Sequence, residues 1–179
     1  GCLLELNALK GLAGRYVAQA RSMAEGAPPE RARELLEIAD ILAKVPAEPA
    51  ETFREALQSI HFYTFLLEGD YQLGRPDQFL VDLYRADVAS GRLTPAGALE
   101  LIDCFCLLYS ACHPRGSAVG FMVGGRDCDA NPVHNELTYL FLHSIAHTRL
   151  AYPGIGLCVH DETPDELLDL AVDMLSNGH

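Results

Sequence analysis

Through residue 112 the apolar positions recur mainly at helical spacing; beyond it, short unbroken apolar runs alternate with longer helical patterns. Residues 3–24 keep a helical spacing that Gly11 and Gly14 weaken. Pro28-Pro29-Glu30 opens a second helix, since the N–H that proline lacks is unpaired in a first turn anyway. Leu35, Ile38, Ile41, Leu42 and Val45 form its stripe, and PAEPAE at 46–51 interrupts the pattern. A third helix carries Phe53, Leu57, Ile60, Thr64 and Leu67 down one face. EGDYQLGRPDQ at 68–78 is rich in turn residues. Pro76 then opens a helix bearing Phe79, Leu80, Leu83 and Tyr84, which Gly91 ends. Leu93-Thr94-Pro95 caps the next, whose run from Leu99 to Tyr109 is apolar enough to predict burial on more than one side.

The final third changes period. VGFMV at 119–123 is short, β-rich and bounded by glycines, as a buried strand should be. Asp129 or Asn131 is expected to start a helix around 133–148, and Gly154 to Val159 reads as a second strand. Thr163-Pro164-Asp165-Glu166 supplies an N-cap, a proline at the first helical position and a Glu two further on, a capping-box signature. Strand, helix, strand, helix is part of a barrel or layered sheet rather than a whole one. The expected fold is therefore α/β and predominantly helical. It is one partial domain over 1–179, with 1–112 a mainly helical outer layer and 113–179 the strand-bearing part. The chain begins without Met and stops at SNGH just after a helical pattern, which leads to the expectation that it is a segment of something larger.

Charge narrows the partners. With 25 Asp and Glu against 13 Lys and Arg, the net charge is -12. Such a chain repels phosphate backbones and anionic lipid, so neither nucleic acid nor a membrane surface is expected. The amino end has no charged n-region and no bilayer-length apolar run, and a cytoplasmic protein is expected. The six cysteines form no CxxC pair, and most sit in apolar patterns as small buried hydrophobes.

Candidate chemistry is sparse: there is no GxSxG, P-loop or GxGxxG. His143 and His147 stand four apart on one helix, with Glu136 on nearly the same face, a conceivable metal arrangement, although structural roles are favoured. Asn135 and Glu136 could serve as acid–base groups, but early-helix polar residues more often pin a neighbouring loop. Asp70, Tyr71, Arg75 and Asp77 share one polar turn; function and structure are balanced for Asp70 and Tyr71, whereas Arg75 is expected to pair with Asp77 or another carboxylate and hold the turn. Arg115 could bind a carboxylate and Ser117 could donate to a ligand, against the reading of HPRGSA as a solvated loop.

Taken in order, FREALQSIHFYTFLLEG, GRPDQFLVDLYRADVASGRLTPAGALELID, VGGRDCDANPVHNELTYLFLHSIAHTRL and VHDETPDELLDLA resemble the glycyl radical enzymes. These are the pyruvate formate-lyase superfamily, here in its glycerol dehydratase and choline trimethylamine-lyase branch. The resemblance implies a ten-stranded α/β barrel wrapped in helices, enclosing a cysteine that becomes a thiyl radical and a glycine that stores the radical. It implies a lyase, dehydratase or acyltransferase (formate C-acetyltransferase being the parent activity) of anaerobic metabolism that cleaves a C–O, C–N or C–C bond of a small polar molecule. An activating enzyme with an iron–sulfur cluster and S-adenosylmethionine would install the radical, and the parent enzyme would be a homodimer. The family's radical Cys and Gly fall beyond His179, so no catalytic residue, metal ligand or bound cofactor is assigned here, and these residues alone are expected to be inactive. Dehydratase relatives read GHSxSxGRxDQ where this chain has Gly69 and Asp70 in place of the His-Ser pair. The implied substrate-binding residues are Asp70, Tyr71, Arg115 and Ser117, with Asp70 meeting a cationic or hydroxylated group and Tyr71 adding a wall. The rivals are a stand-alone helical metal-binding or scaffold protein and a family member that has lost catalysis.

Overall fold

The structure, a computed structural model, describes residues 2–67, 72–112 and 120–178. It forms two compact units, Gly1–Leu66 and Leu67–His179.

The first unit is helical. α1 spans Cys2–Glu25, α2 spans Pro29–Lys44 and α3 spans Phe53–Leu67. α1 runs unbroken through Gly11 and Gly14, and a methyl group at either would meet nothing within 4 Å. Pro29 occupies the first turn of α2, as its missing N–H predicts. Leu9, Ala13, Leu42 and Phe62 form a buried cluster, with Leu12, Val17 and Ile38 against it. Thr52 caps α3 by accepting from Glu55 N–H, and the Glu55 carboxylate turns back to Glu51 N–H and to the Lys44 ammonium.

In the second unit, the helix expected from Pro76 is two: α4, Pro76–Phe79, and α5, Val81–Ala89, parted at Leu80. α6 spans Pro95–Cys112, with Thr94 Oγ1 accepting from Gly97 N–H at its start. Its burial corrects the expectation of cover on several sides. Ala98, Ile102, Phe105, Cys106 and Tyr109 make one buried stripe, whereas Leu107 and Leu108 on the other side are half exposed. By length and composition alone α6 is apolar enough to cross a membrane, but its stripe packs on α7 as a core helix does.

β1 is Gly120–Gly124, α7 is Glu136–Thr148, β2 is Gly154–Cys158 and α8 is Asp165–Ser176. The two strands are parallel, with Gly120 opposite Gly154 and Gly124 opposite Cys158, and α7 connects them. Phe121 points into the α7 interface, its ring 5.1 Å from that of Phe141 in an edge-on contact. Among the described residues β2 pairs with β1 alone.

Two helix starts differ from expectation. α7 begins after Asn135, not at Asp129 or Asn131, because Asp127 Oδ1 accepts from the N–H groups of Asp129 and Asn131 and folds that segment into its own turn. α8 begins after Pro164, and Thr163 Oγ1 accepts instead from His160 N–H in the turn before it.

Candidate functional site

Residues 72–78 lie along β1 from its start to its end. Gln72 forms a parallel bridge with Gly120, Leu73 N–H donates to Gly120 O, and Met122 N–H donates to Gly74 O at 2.9 Å. At the far end two side chains take over from the backbone. Arg75 Nη1 donates to Gly124 O at 3.0 Å and to Arg126 O at 2.8 Å. Asp77 Oδ2 accepts from Gly124 N–H at 2.7 Å. The N–H and the C=O of one residue, Gly124, are thus held by side chains two apart in sequence.

The grip falls where the backbone is unusual. Gly124 and Gly125 have φ of +68° and +89°, the left-handed region that disfavours a side chain. A Cβ on Gly125 would also stand 2.8 Å from that of Cys158, so the turn packs directly on the end of β2. Val133 N–H closes it by donating to Gly125 O, and Gln78 Nε2 donates to Val133 O.

Asp77 is wholly buried. Besides Gly124 N–H, its Oδ2 accepts from the Thr138 hydroxyl at 2.6 Å, while Asn135 Nδ2 donates to Asp77 O. Asn135 is the N-cap of α7: Leu137 N–H donates to its Oδ1, and Thr138 Oγ1 accepts from its N–H. Thr138 therefore receives one hydrogen bond from the cap and passes one to Asp77. A carboxylate accepting charge-assisted bonds from a strand end and a helix start fixes α4, β1 and α7 on one point.

A second tie joins the two strand ends. Arg126 donates to Ala130 O, Asp161 Oδ1 and Glu162 Oε1, linking the turn after β1 to that after β2. Hydrogen bonding to Arg126 holds the Asp161 carboxyl below its usual range.

Asp70, Tyr71, Arg115 and Ser117 all lie outside the described residues. The described residues that follow those two segments, Gln72 and Gly120, are the bridged pair. Arg75 holds the turn as expected, but through carbonyls of residues 124 and 126 rather than through Asp77. Around α7, most of the side chains weighed for metal or acid–base chemistry make structural contacts. Glu136 is paired with Arg85 at 2.8 Å, whose hydrogen bonds lower its carboxyl. His147 Nδ1 lies 3.1 Å from Asp103 Oδ2, His143 is exposed, and Asn135 serves as cap and anchor. Among the described residues no group of three or more His, Cys, Asp or Glu side chains is placed to hold a metal ion. Burial pushes the Cys106 thiol up to about 11, against the hydrogen bond from Ser144, so it stays protonated at neutral pH. The roles of Asp77, Thr138 and the two glycines were missed in the sequence. Their available signal was a glycine pair closing a strand and an Asp flanked by turn residues.

Comparison with known proteins places this geometry. The family model described as pyruvate formate lyase-like matches residues 1–179. The isethionate sulfite-lyase of Nitratidesulfovibrio vulgaris is 32% identical over 171 residues, covering 84% of this chain and 20% of the relative. A solved glycyl radical enzyme from Archaeoglobus fulgidus superposes with a TM-score of 0.88 at 30% identity, covering 96% of this chain and 24% of that one. A solved protein of 1,2-propanediol dehydration in Roseburia inulinivorans superposes with a TM-score of 0.92 at 29% identity, covering 98% of this chain and 23% of that one. The chain thus spans about a fifth of the length of the curated relative it matches.

Proposed function

Because the chain belongs to the pyruvate formate lyase-like family, the glycyl radical enzymes, we propose that it is a segment of a glycyl radical lyase or dehydratase acting on a small polar molecule. The observation that carries this reading is the family match along the whole chain, α/β and predominantly helical, on the barrel-type fold of its structural neighbours. The segment contributes wall and outer helices of one partial domain. The radical Cys and Gly belong to polypeptide outside these residues. When bound in the parent enzyme, the glycyl radical supplies the hydrogen-atom chemistry, and a radical S-adenosylmethionine activating enzyme installs it. This chain's own residues shape and shield the cavity in which a C–O, C–N or C–C bond is cleaved; acyl transfer is the family's other outcome. The parent enzyme is a cytoplasmic, anaerobic homodimer without nucleic-acid or membrane partners.

Substrate contacts are assigned to Asp70, Tyr71, Arg115 and Ser117. Support comes from the Gln72–Gly120 bridge, into which both segments lead. A carboxylate at Asp70 attracts a cation or accepts from a hydroxyl, and repels an anion.

Anaerobic activation of the full-length enzyme with a radical S-adenosylmethionine activase should give an organic radical signal by electron paramagnetic resonance. Its absence would count against the whole reading. Asp70→Asn should then raise KM; unchanged affinity and turnover would remove Asp70 from the site.

A further inference from the structure

β1 has one closed face and one open one. Phe121, packed on Phe141 of α7, is 1% exposed and Val123 is wholly buried, but Met122 between them is 42% exposed. Side chains alternate along a strand, so Met122 points away from α7. Gly156 stands opposite it in the register, while Ile155 and Leu157 stand opposite Phe121 and Val123. The face away from α7 therefore carries Met122 on β1 and Gly154, Gly156 and Cys158 on β2. A Cβ on Gly156 would lie 2.6 Å from Met122 Sδ and 2.8 Å from its Cε. The thioether thus lies across Gly156, in the space that a side chain there would fill. Gly156 keeps a φ outside the left-handed region, so its backbone does not call for glycine. Room for Met122 is what the missing side chain gives.

We propose that Met122 is a specificity-determining residue on the cavity wall of the parent enzyme, where its thioether, laid flat on Gly156, sets how long a substrate fits. The inference rests on the reaction proposed above. A parallel sheet is covered on both faces. α7 covers one. In the barrel-type fold of the structural neighbours a crossover helix lies outside, so the other face turns inward. A barrel centre packed solid places bulky branched side chains at its inward positions. Here two of the three on β2 are glycine, and none is branched. Glycines leave the strand backbone open to close approach by a ligand. A methionine among them supplies a movable apolar wall, which suits the carbon side of a small polar molecule whose polar groups are held elsewhere.

The test uses the full-length enzyme with Met122→Ala, Gly156→Ala and the double variant. After anaerobic activation, glycerol, 1,2-propanediol and isethionate are screened, and kcat/KM for the best is compared with that for its homologue one methylene longer. Met122→Ala should raise the ratio of longer to shorter substrate about tenfold or more, the usual worth of a methylene in a fitted pocket. Gly156→Ala puts a methyl group where the thioether lies and should lower that ratio. In the double variant the methyl meets the space that Met122 has vacated, so the ratio should match that of Met122→Ala, whereas independent changes would offset each other. A side chain that only supports the fold changes both substrates equally, so an unchanged ratio in Met122→Ala overturns the proposal. Oxidation by hydrogen peroxide gives a second reading that needs no radical. In the unactivated enzyme, peptide mapping should find Met122 converted to its sulfoxide, and whichever of the three compounds binds should slow that conversion about fivefold or more. A cavity that admits these compounds admits peroxide. A Met122 that resists oxidation is covered by protein, and one oxidised at the same rate with each compound present does not touch them; either result overturns the proposal. A wild type without radical or turnover refutes the assigned reaction, while oxidation still decides the place of Met122.

Discussion

Thr138 Oγ1 stands 2.6 Å from Asp77 Oδ2, although 61 residues separate them, and both side chains are wholly buried. The same hydroxyl accepts from Asn135 N–H, so the cap of α7 and the carboxylate that holds β1 share one atom. Replacing Thr138 with Val keeps the shape and removes that atom. It should destabilise the chain by about 1–3 kcal/mol, the cost of a buried acceptor losing a partner. Denaturant unfolding checks this; a midpoint within error of wild type would show that the link carries no stability.

The two glycines at strand ends and the two in α1 should respond in opposite directions. Gly125→Ala places a methyl group 2.8 Å from Cys158 Cβ at a φ of +89°, and should cost about 1–3 kcal/mol from backbone strain before any overlap. Gly120→Ala drives a methyl into Gly154 O and should part β1 from β2. Gly14→Ala meets nothing within 4 Å in mid-helix and should stabilise by roughly 0.5–1 kcal/mol. Thermal melts of the three variants decide the order.

Acid should loosen the first unit through Glu55. Burial pushes its carboxyl upward, but Glu51 N–H and the Lys44 ammonium outweigh that and hold it below its usual value of 4.5. A depressed folded pKa means that the contribution is complete above pH 4.5 and is lost as pH falls through the lower folded value. Glu55→Gln should flatten the stability profile in that window and leave its slope near neutrality unchanged. A pH series of unfolding midpoints tests it.

Thiol reactivity should follow burial. Cys104 and Cys128 are exposed, whereas Cys106 is buried with its pKa raised to about 11. Iodoacetamide at pH 8 should alkylate Cys104 and Cys128 in the folded 179-residue chain and spare Cys106 until denaturant is added. Peptide mapping that finds Cys106 modified first would contradict the packing of α6 on α7.

The elements legible in the sequence were those with local causes. Pro29 and Pro95 opened helices where a first turn tolerates proline, and Thr94 capped as its position promised. VGFMV was legible as a short β-rich run bounded by glycines, and β1 forms there, with Met122 exposed where a fully buried strand was expected. The failures also had local causes, but in competition. Asp129 and Asn131, the expected starts of α7, give their N–H groups to Asp127 Oδ1, and the cap falls to Asn135, whose Nδ2 reaches Asp77 O. Thr163 Oγ1 accepts from His160 N–H in the preceding turn instead of from the first turn of α8. Leu99 to Tyr109 was read as buried on more than one side because composition cannot say how many neighbours a helix has.

By itself the sequence determined the helices, the two strands, their order and the resemblance to a family, since periodicity, capping and ordered blocks of residues act within a few positions of the chain. Only the tertiary structure decided that Arg75 and Asp77 take the C=O and the N–H of Gly124 instead of each other. That choice depends on burial: a carboxylate removed from water must find donors with fixed geometry, and the nearest were brought 47 and 61 residues through the chain by folding.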